Sequence, residues 1–238
     1  MTHPVILRPL PAAETPARRR PRRALVAKRT IDVAGAAIGL AALAPLLAAI
    51  AVAIRVSSPG PIFYRGVRTG RGGRPFRIFK FRSMVVNAEE IGSVTTGKDD
   101  PRITRVGHWL RRNKLDELPQ LINVLLGEMS FVGPRPEVAA YTDRYTEEER
   151  AILSVRPGIT DLASLEFHDL QEVVGSASPE QVYRSDVLPR KIALRLQYVR
   201  QRSFLGDLRI LSRTLRLVLA KPLEKLRWRR SSLAERDS

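Results

Sequence analysis

Cysteine is absent from the 238-residue chain, which excludes disulfides, thiolate metal sites and a cysteine nucleophile. Histidine is scarce, and its three copies, His3, His108 and His168, lack the helical spacing of a zinc-binding motif. Any catalysis must therefore use other groups. A hard cation held by carboxylates stays open, because Mg²⁺ takes oxygen ligands.

Acidic residues are outnumbered by basic ones. The chain has 41 Lys and Arg against 24 Asp and Glu, and its formal charge of +17 attracts nucleic acid, anionic membranes or phosphorylated substrates. Apolar residues make up 44% of the chain, enough for one buried domain with appendages. Residues 1–23 form a predicted disordered basic arm. Because the arm lacks aromatic residues for base stacking and leads into an apolar segment, we expect a membrane-surface anchor and no nucleic acid.

A long apolar segment follows the arm. Residues 33–54 carry no charge, and as a straight helix they are long enough to cross a bilayer of about 30 Å. Pro45 lies in the middle, where it removes a helical hydrogen bond and kinks or breaks the helix. Basic residues flank both sides, whereas a spanning helix has them mainly on the cytoplasmic side. We therefore predict a re-entrant membrane helix over 24–56, broken near Pro45, with both ends in the cytoplasm.

Two other interpretations of this segment stay open. A single spanning helix satisfies the length requirement, since long loops relax the charge rule. The pair Arg22-Arg23 ahead of an apolar stretch is also typical of a twin-arginine export signal.

Residues 57–220 are predicted to form a cytosolic domain with interfacial amphipathic helices, followed by a basic tail over 221–238. Short strands over 62–64 and 75–81 surround the glycine-rich stretch 68–73 and predict a β-hairpin. Helical patterns follow over 103–112, from Pro119 to a stop at Gly127, over 146–155 behind an S/T-x-x-E cap, and over 179–220. The predicted fold class is α+β, predominantly helical.

Asp116 and Glu117 are the first candidates for chemistry. They lie just before the helix that begins near Pro119, where unpaired amides favour anions such as a bound phosphate. Paired carboxylates beside a phosphate suit Mg²⁺, and an ionised aspartate is a competent nucleophile toward phosphorus. The alternative is a solvated helix cap without a function.

Basic side chains supply a second set of candidates. Arg135 stands between Pro134 and Pro136, which restrict the backbone and present the guanidinium for bidentate phosphate binding. Lys80 and Arg82 share one face of a predicted strand and could meet anions. The alternatives are an incidental surface arginine and an amphipathic strand with solvated charges. The pair Asp99-Asp100, before a proline, is better explained as a turn.

In order along the chain, these residues resemble the bacterial sugar transferase family, the monotopic polyprenyl-phosphate phosphoglycosyl transferases. The most specific part is residues 114–137, with the sequence KLDELPQLINVLLGEMSFVGPRPE. Lys28-Arg29 with Asp32, Arg68-Thr69-Gly70, Pro75-Phe76, residues 80–84 and residues 156–160 support it. The resemblance covers residues 28–165 and is to the short form of the family. In this family a serine precedes the helix-breaking proline, whereas here Ala44 precedes Pro45.

The resemblance implies a reaction. Asp116 attacks the β-phosphate of a UDP-sugar, UMP leaves, and polyprenyl (undecaprenyl) phosphate resolves the aspartyl-phosphosugar to a lipid-linked diphosphosugar that initiates polysaccharide assembly. Glu117 helps to bind Mg²⁺, with Asp116 as the other ligand, or handles a proton. Substrate-binding residues are Lys80, Arg82, Arg68 and Arg135.

The resemblance also implies a location and partners. The protein is expected on the cytoplasmic face of the bacterial inner membrane, in contact with its lipids and with downstream glycosyltransferases. Two rival functions stay open: a membrane-tethered module that binds polyanions, and an inactive scaffold of a polysaccharide assembly complex.

Overall fold

The computed structural model describes residues 21–92, 95–97, 100–175 and 177–218. The first twenty residues of the predicted basic arm, Asp99 and the predicted basic tail lie outside these ranges. The described part is mostly helical with short strands, which confirms the predicted fold class at that level.

The chain begins with a long apolar helix, α1 (Arg22–Ser57), of 36 residues. It is long and apolar enough to cross a membrane, and most of its apolar stretch is exposed. Residues on both sides of Pro45 are helical, so the proline does not end the helix. A proline inside a helix removes one hydrogen bond, and the remaining bonds hold the helix together here. The re-entrant path stays a prediction.

Two nested antiparallel strand pairs follow α1 and confirm the predicted hairpin. The outer pair joins β1 (Phe63–Tyr64) to β4 (Lys80–Phe81), and the inner pair joins β2 (Val67–Thr69) to β3 (Pro75–Arg77). A 3₁₀ turn at Arg71–Gly73 closes the inner pair. Gly72 and Gly73 have φ angles of 68° and 77°, a left-handed backbone that glycine adopts without steric cost.

The middle of the chain supplies the elements that carry the candidate site. Helix α2 (Arg105–Arg112) leads to a 3₁₀ turn at Leu115–Glu117 and then to α3 (Gln120–Leu126). Gly127 ends α3 with φ 86°, as its stop signal predicted. Strand β5 (Ser130–Val132) comes next and is followed by the short helix α4 (Ala139–Thr142).

Strand β5 pairs in parallel with β6 (Gly158–Thr160), which lies close to it although 28 residues separate their starts. The backbones approach tightly where β5 ends and β6 begins: a Cβ added at Gly158 would lie 2.1 Å from the Gly133 nitrogen. The helix predicted over 146–155 is instead a shorter 3₁₀ helix, Glu149–Ser154. Its predicted cap does form, because the Thr146 and Glu149 side chains each accept the other's backbone N–H.

The last third of the chain is helical. Its elements are α5 (Leu162–Glu166), α6 (Leu170–Val174), α7 (Pro179–Val182), a π-helical turn (Tyr183–Val187), α8 (Leu188–Gln201) and α9 (204–218). Helix α8 packs against α5 through an apolar cluster that includes Ala163, Phe167 and Leu194. A second cluster joins Ala36 of α1 to Leu121 and Val124 of α3. The carboxylate pair therefore lies on a turn next to a helix that packs along the apolar segment.

Candidate active site

Asp116 and Glu117 lie on the 3₁₀ turn that connects α2 to α3. Lys114, immediately before the turn, has left-handed backbone (φ 58°), which reverses the chain after α2. Asp116 is buried, with 7% of its surface exposed, whereas the Glu117 side chain keeps 23%. The pair is therefore not the solvated helix cap of the alternative interpretation.

Two cations from distant parts of the chain meet on one oxygen of Glu117. The Lys80 Nζ, on β4, lies 3.1 Å from Glu117 Oε1. The Arg135 Nη2, on the loop after β5, donates to the same oxygen. Arg135 is fixed further because its Nη1 donates to the Ile159 carbonyl at 2.9 Å. The structure thus brings together four of the predicted site residues: Lys80, Asp116, Glu117 and Arg135.

The two carboxylates have opposite electrostatic environments. Burial raises the pKa of Asp116, and the negative charge of Glu117 raises it further, while Lys80 and Arg111 oppose the rise. Burial also acts to raise the pKa of Glu117, but the positive charges of Arg135 and Lys80 outweigh it and hold this pKa well below its usual range. Glu117 is therefore a permanent anion at neutral pH, and Asp116 is the more basic carboxylate.

The charges of this site also act on its cations. Burial lowers the pKa of Lys80, and Arg135 and Arg68 lower it further, while Glu117 opposes them. For Arg135, burial acts to lower the pKa, but Glu117 outweighs it and the pKa lies above its usual value. Glu117 thus keeps two cations charged beside Asp116, in a place where burial alone disfavours charge.

The other two predicted substrate-binding residues occupy different surroundings. Arg68 stands over the Tyr64 ring, 5.9 Å from its centroid, and is close enough for its charge to affect the pKa of Lys80. Arg82 does not join the carboxylates. Its guanidinium donates to the Ser58 and Pro59 carbonyls, each at 2.8 Å, and so holds the turn that follows α1.

Asp116 and Glu117 offer the oxygen ligands that Mg²⁺ prefers. The described residues hold no group of three or more His, Cys, Asp or Glu side chains suited to a metal. Two carboxylates nevertheless suffice where substrate phosphates complete the coordination, as is usual for this ion. Both cations contact Oε1 of Glu117, so the oxygens that would hold a magnesium ion arriving with a diphosphate are Oε2 of Glu117 and the Asp116 carboxylate.

Sequence reasoning missed Asp161 and Arg195, two fully buried charges behind Arg135. Asp161 Oδ2 accepts the Arg135 backbone N–H at 2.9 Å, and Arg195 Nε lies 3.3 Å from that same oxygen. A signal for Arg195 existed, because it shares the inner face of α8 with Leu194 and Tyr198, and a charge on an apolar face calls for a partner. No such signal marks Asp161, whose position resembles an ordinary N-cap.

Fold and site together define the described part of the chain as a helical α+β protein with a long apolar helix and an anionic centre held between cations. The sequence model of one family, bacterial sugar transferase, matches residues 23–221. The chain belongs to this family.

Several curated relatives are similar to the chain. A UDP-glucose:undecaprenyl-phosphate glucose-1-phosphate transferase of Caulobacter vibrioides is 40% identical over 190 residues, 79% of this chain and 67% of the relative. An undecaprenyl-phosphate glucose phosphotransferase of Komagataeibacter xylinus is 39% identical over 81% of this chain and 36% of its own length. A UDP-N-acetylgalactosamine-undecaprenyl-phosphate N-acetylgalactosaminephosphotransferase of Aeromonas hydrophila is 38% identical, over 81% and 43%. The chain thus spans less than half of the latter two relatives.

Proposed function

We propose that the protein transfers a sugar 1-phosphate from a UDP-sugar to undecaprenyl phosphate, releases UMP, and so initiates the assembly of a polysaccharide. The observation that carries the proposal is the arrangement of the two carboxylates. Asp116 is buried, and beside it Lys80 and Arg135 hold Glu117 as an anion. Relatives named for this transfer with glucose and with N-acetylgalactosamine support the reaction class.

The reaction proceeds in two displacements at one phosphorus atom. A carboxylate oxygen of Asp116 attacks the β-phosphorus of the UDP-sugar, the bond to the bridging oxygen breaks, and UMP leaves with the electron pair. An oxygen of the lipid phosphate then attacks the aspartyl-phosphosugar and releases the Asp116 carboxylate. The raised pKa of Asp116 suits a nucleophile, since the more basic carboxylate is the better donor of electrons.

The cations stabilise the charge that builds up on the phosphoryl oxygens, because such transfers depend mainly on positioning and electrostatics. Lys80 and Arg135 are already ordered by Glu117, so little reorganisation is needed when substrate binds. Asp116 and Glu117 would hold Mg²⁺. When bound, this ion supplies positive charge that offsets the repulsion between a carboxylate and a diphosphate.

The direct test is UMP release from a panel of UDP-sugars by the nanodisc-embedded protein, with undecaprenyl phosphate and Mg²⁺. We expect Asp116→Asn to abolish release, whereas the matched variant Asp143→Asn, at an exposed aspartate, keeps it. If the folded wild type releases no UMP from any UDP-sugar but binds polyanions tightly and in a salt-sensitive way, a binding module is favoured. If it neither releases UMP nor binds polyanions, a scaffold is favoured.

The finer location of the protein follows from the contacts of α1. Near its start, Arg29 donates to the Val124 and Leu125 carbonyls, and Asp32 accepts from Ser130. Near its end, Ile50 and Ile54 are buried in a cluster with residues of β4 and α2. Both ends thus contact the same globular part. A straight crossing would separate these two regions by the bilayer, so we propose a re-entrant helix whose ends share the cytoplasmic face of the inner membrane.

Apolar side chains outside α1 support contact with membrane lipids. Trp109 on the basic helix α2, and Phe204, Leu205 and Leu208 on α9, are exposed. Helix α9 is fastened to the N-terminal part of α1, because Asp207 pairs with Lys28 at 3.2 Å. Apolar surface beside basic residues is typical of helices that lie in a membrane interface. This arrangement suits one water-soluble and one lipid substrate; downstream glycosyltransferases would take up the lipid-linked product.

The absence of cysteine allows a clean labelling test of the re-entrant helix. Val26 and Val56, exposed by 62% and 82%, flank the apolar segment and would be replaced singly by cysteine. With an impermeant maleimide outside spheroplasts, we expect neither variant to react, and both to react after permeabilisation. Reaction of one variant in intact spheroplasts would establish a spanning helix instead.

A further inference from the structure

A chain of buried charges runs from α8 to the carboxylate pair. Arg195, exposed by 1%, contacts a fully buried acid and a partly buried one: its Nε lies 3.3 Å from Asp161 Oδ2 and its Nη2 2.8 Å from Glu137 Oε1. We infer that Arg195 and Asp161 form a positioning unit, which sets the Arg135 guanidinium against Glu117 for the transfer step. The role in turnover rests on the proposed function; the geometric role does not.

Asp161 is the link between Arg195 and the backbone at Arg135. Its Oδ2 accepts the Arg135 N–H at 2.9 Å, and its Oδ1 accepts the Ser164 N–H at 2.6 Å. Pro134 and Pro136 have no N–H, so the Arg135 amide is the single backbone donor of this three-residue stretch. Asp161 therefore holds the loop at the residue whose side chain reaches Glu117.

Glu137 holds the other end of the same loop. It accepts the Arg195 guanidinium at 2.8 Å and the Tyr183 hydroxyl at 2.7 Å, and Tyr183 is itself buried. Arg195 is thus a shared partner of the two acids that hold the loop, Asp161 and Glu137. Asp161 keeps its bond from the Ser164 N–H and Glu137 keeps its bond from the Tyr183 hydroxyl, so removal of Arg195 loosens both acids at once without detaching either.

The cost of burying these charges supports a role beyond stability. A buried ion-pair network is often no more stable than well-packed apolar residues of the same volume, because desolvation offsets the attraction. The network does fix the orientation of its side chains, since the planar guanidinium of Arg195 binds two carboxylates at once. Partners that orient the ligands of a metal site affect affinity or activity by about 10–100-fold when they are removed, and we expect a loss of the same size for a unit that orients Arg135.

The test compares Arg195→Met, Arg195→Lys and Asp161→Asn with the wild type in the UMP-release assay. We expect kcat to fall by about 10–100-fold in Arg195→Met with a smaller change in KM for the UDP-sugar, since misplacement affects the transition state most. Arg195→Lys should recover part of the loss. The double variant Asp161→Asn with Arg195→Met should lose no more than the worse single variant, because both remove one unit.

A matched control separates positioning from stability. Arg102 is also a buried arginine, paired with Asp100 at 2.7 Å. Arg102→Met should lower the melting temperature while kcat per folded molecule stays near the wild-type value. The inference is overturned if kcat of folded Arg195→Met stays within about threefold of the wild-type value, since we expect a loss of at least about tenfold. If Arg195→Met does not fold, the same criterion applies to Arg195→Lys.

A second measurement needs no turnover, so failure of the proposed function remains distinguishable. Thermal melting gives the coupling between Arg135 and Glu117 through the variants Arg135→Met, Glu117→Gln and their double. This coupling should be clear in the wild-type background and should shrink in the Arg195→Lys background. An unchanged coupling overturns the inference, whether or not any UDP-sugar is consumed.

Discussion

Replacing Glu117 by glutamine removes one negative charge and keeps the shape of the side chain. In the wild type its Oε1 accepts one bond each from Lys80 and Arg135. A charge-assisted bond is worth roughly 1.5–3 kcal/mol and a neutral acceptor roughly half of that, so each contact loses about 1 kcal/mol. Because two cations also lose their counter-charge, we expect Glu117→Gln to cost about 2–3 kcal/mol, a modest value since both Lys80 and Glu117 stay partly exposed.

Thermal unfolding of detergent-solubilised protein measures this cost. At pH 7 a loss of about 2–3 kcal/mol corresponds to a melting temperature lower by about 5–10 °C for a chain of this size. The pKa of Glu117 is depressed below its ordinary 4.5, so its stabilisation is complete above pH 4.5 and is lost as the pH falls further. The deficit of the variant should therefore be constant at neutral pH and shrink below pH 4.5.

The matched control is Glu148→Gln, which breaks a more exposed pair with Arg200, since 66% of the Glu148 side chain is exposed, and which should cost at most about 1 kcal/mol. A Glu117→Gln protein as stable as the wild type at pH 7, or a deficit that does not change with pH, would refute the assignment of Glu117 as a paired anion.

Further predictions concern the pKa of Asp116 and the close contact between β5 and β6. Arg111 opposes the raised pKa of Asp116, so Arg111→Gln should move the acidic limb of the kcat/KM profile for UMP release to higher pH; a shift to lower pH contradicts this. Gly158→Ala should destabilise the protein by about 1–3 kcal/mol or prevent folding, because the new Cβ would meet the backbone of Gly133. Gly73→Ala is the control, because a Cβ there would meet no atom within 4 Å and the substitution costs only backbone strain. Equal melting temperatures of the two variants would contradict the steric argument.

Much of the local structure could be predicted because local sequence determines it. The apolar stretch of α1, the glycine-rich turn of the hairpin and the Gly127 stop of α3 each depend on residues near one another in the chain. The position of Asp116 and Glu117 just before α3 is likewise determined by local sequence. The pairing of Lys80 and Arg135 with one carboxylate does not, since these residues are far apart in sequence, and the family resemblance implied only that both bind substrate.

The parts that escaped prediction depend on contacts between distant segments. Strands β5 and β6 have three residues each, too short for a periodic pattern, and their parallel pairing needs the close approach of Gly133 and Gly158. Arg82 lies on the strand face expected to meet anions, but its guanidinium instead donates to backbone carbonyls of the turn after α1. Nothing local distinguishes a basic residue that binds substrate from one that fastens a turn.

The opposite environments of the two carboxylates divide their roles more sharply than the sequence allowed. From the motif, Glu117 was expected to bind a metal or to handle a proton. Its depressed pKa argues against the proton role, because a carboxylate held by Arg135 and Lys80 is too weak a base to take up a proton at neutral pH. Asp116, with its raised pKa, is the stronger base of the pair. Neighbouring carboxylates whose pKa values are pushed apart typically have different tasks: in the proposed reaction Glu117 keeps the cations in place, and Asp116 attacks the phosphorus.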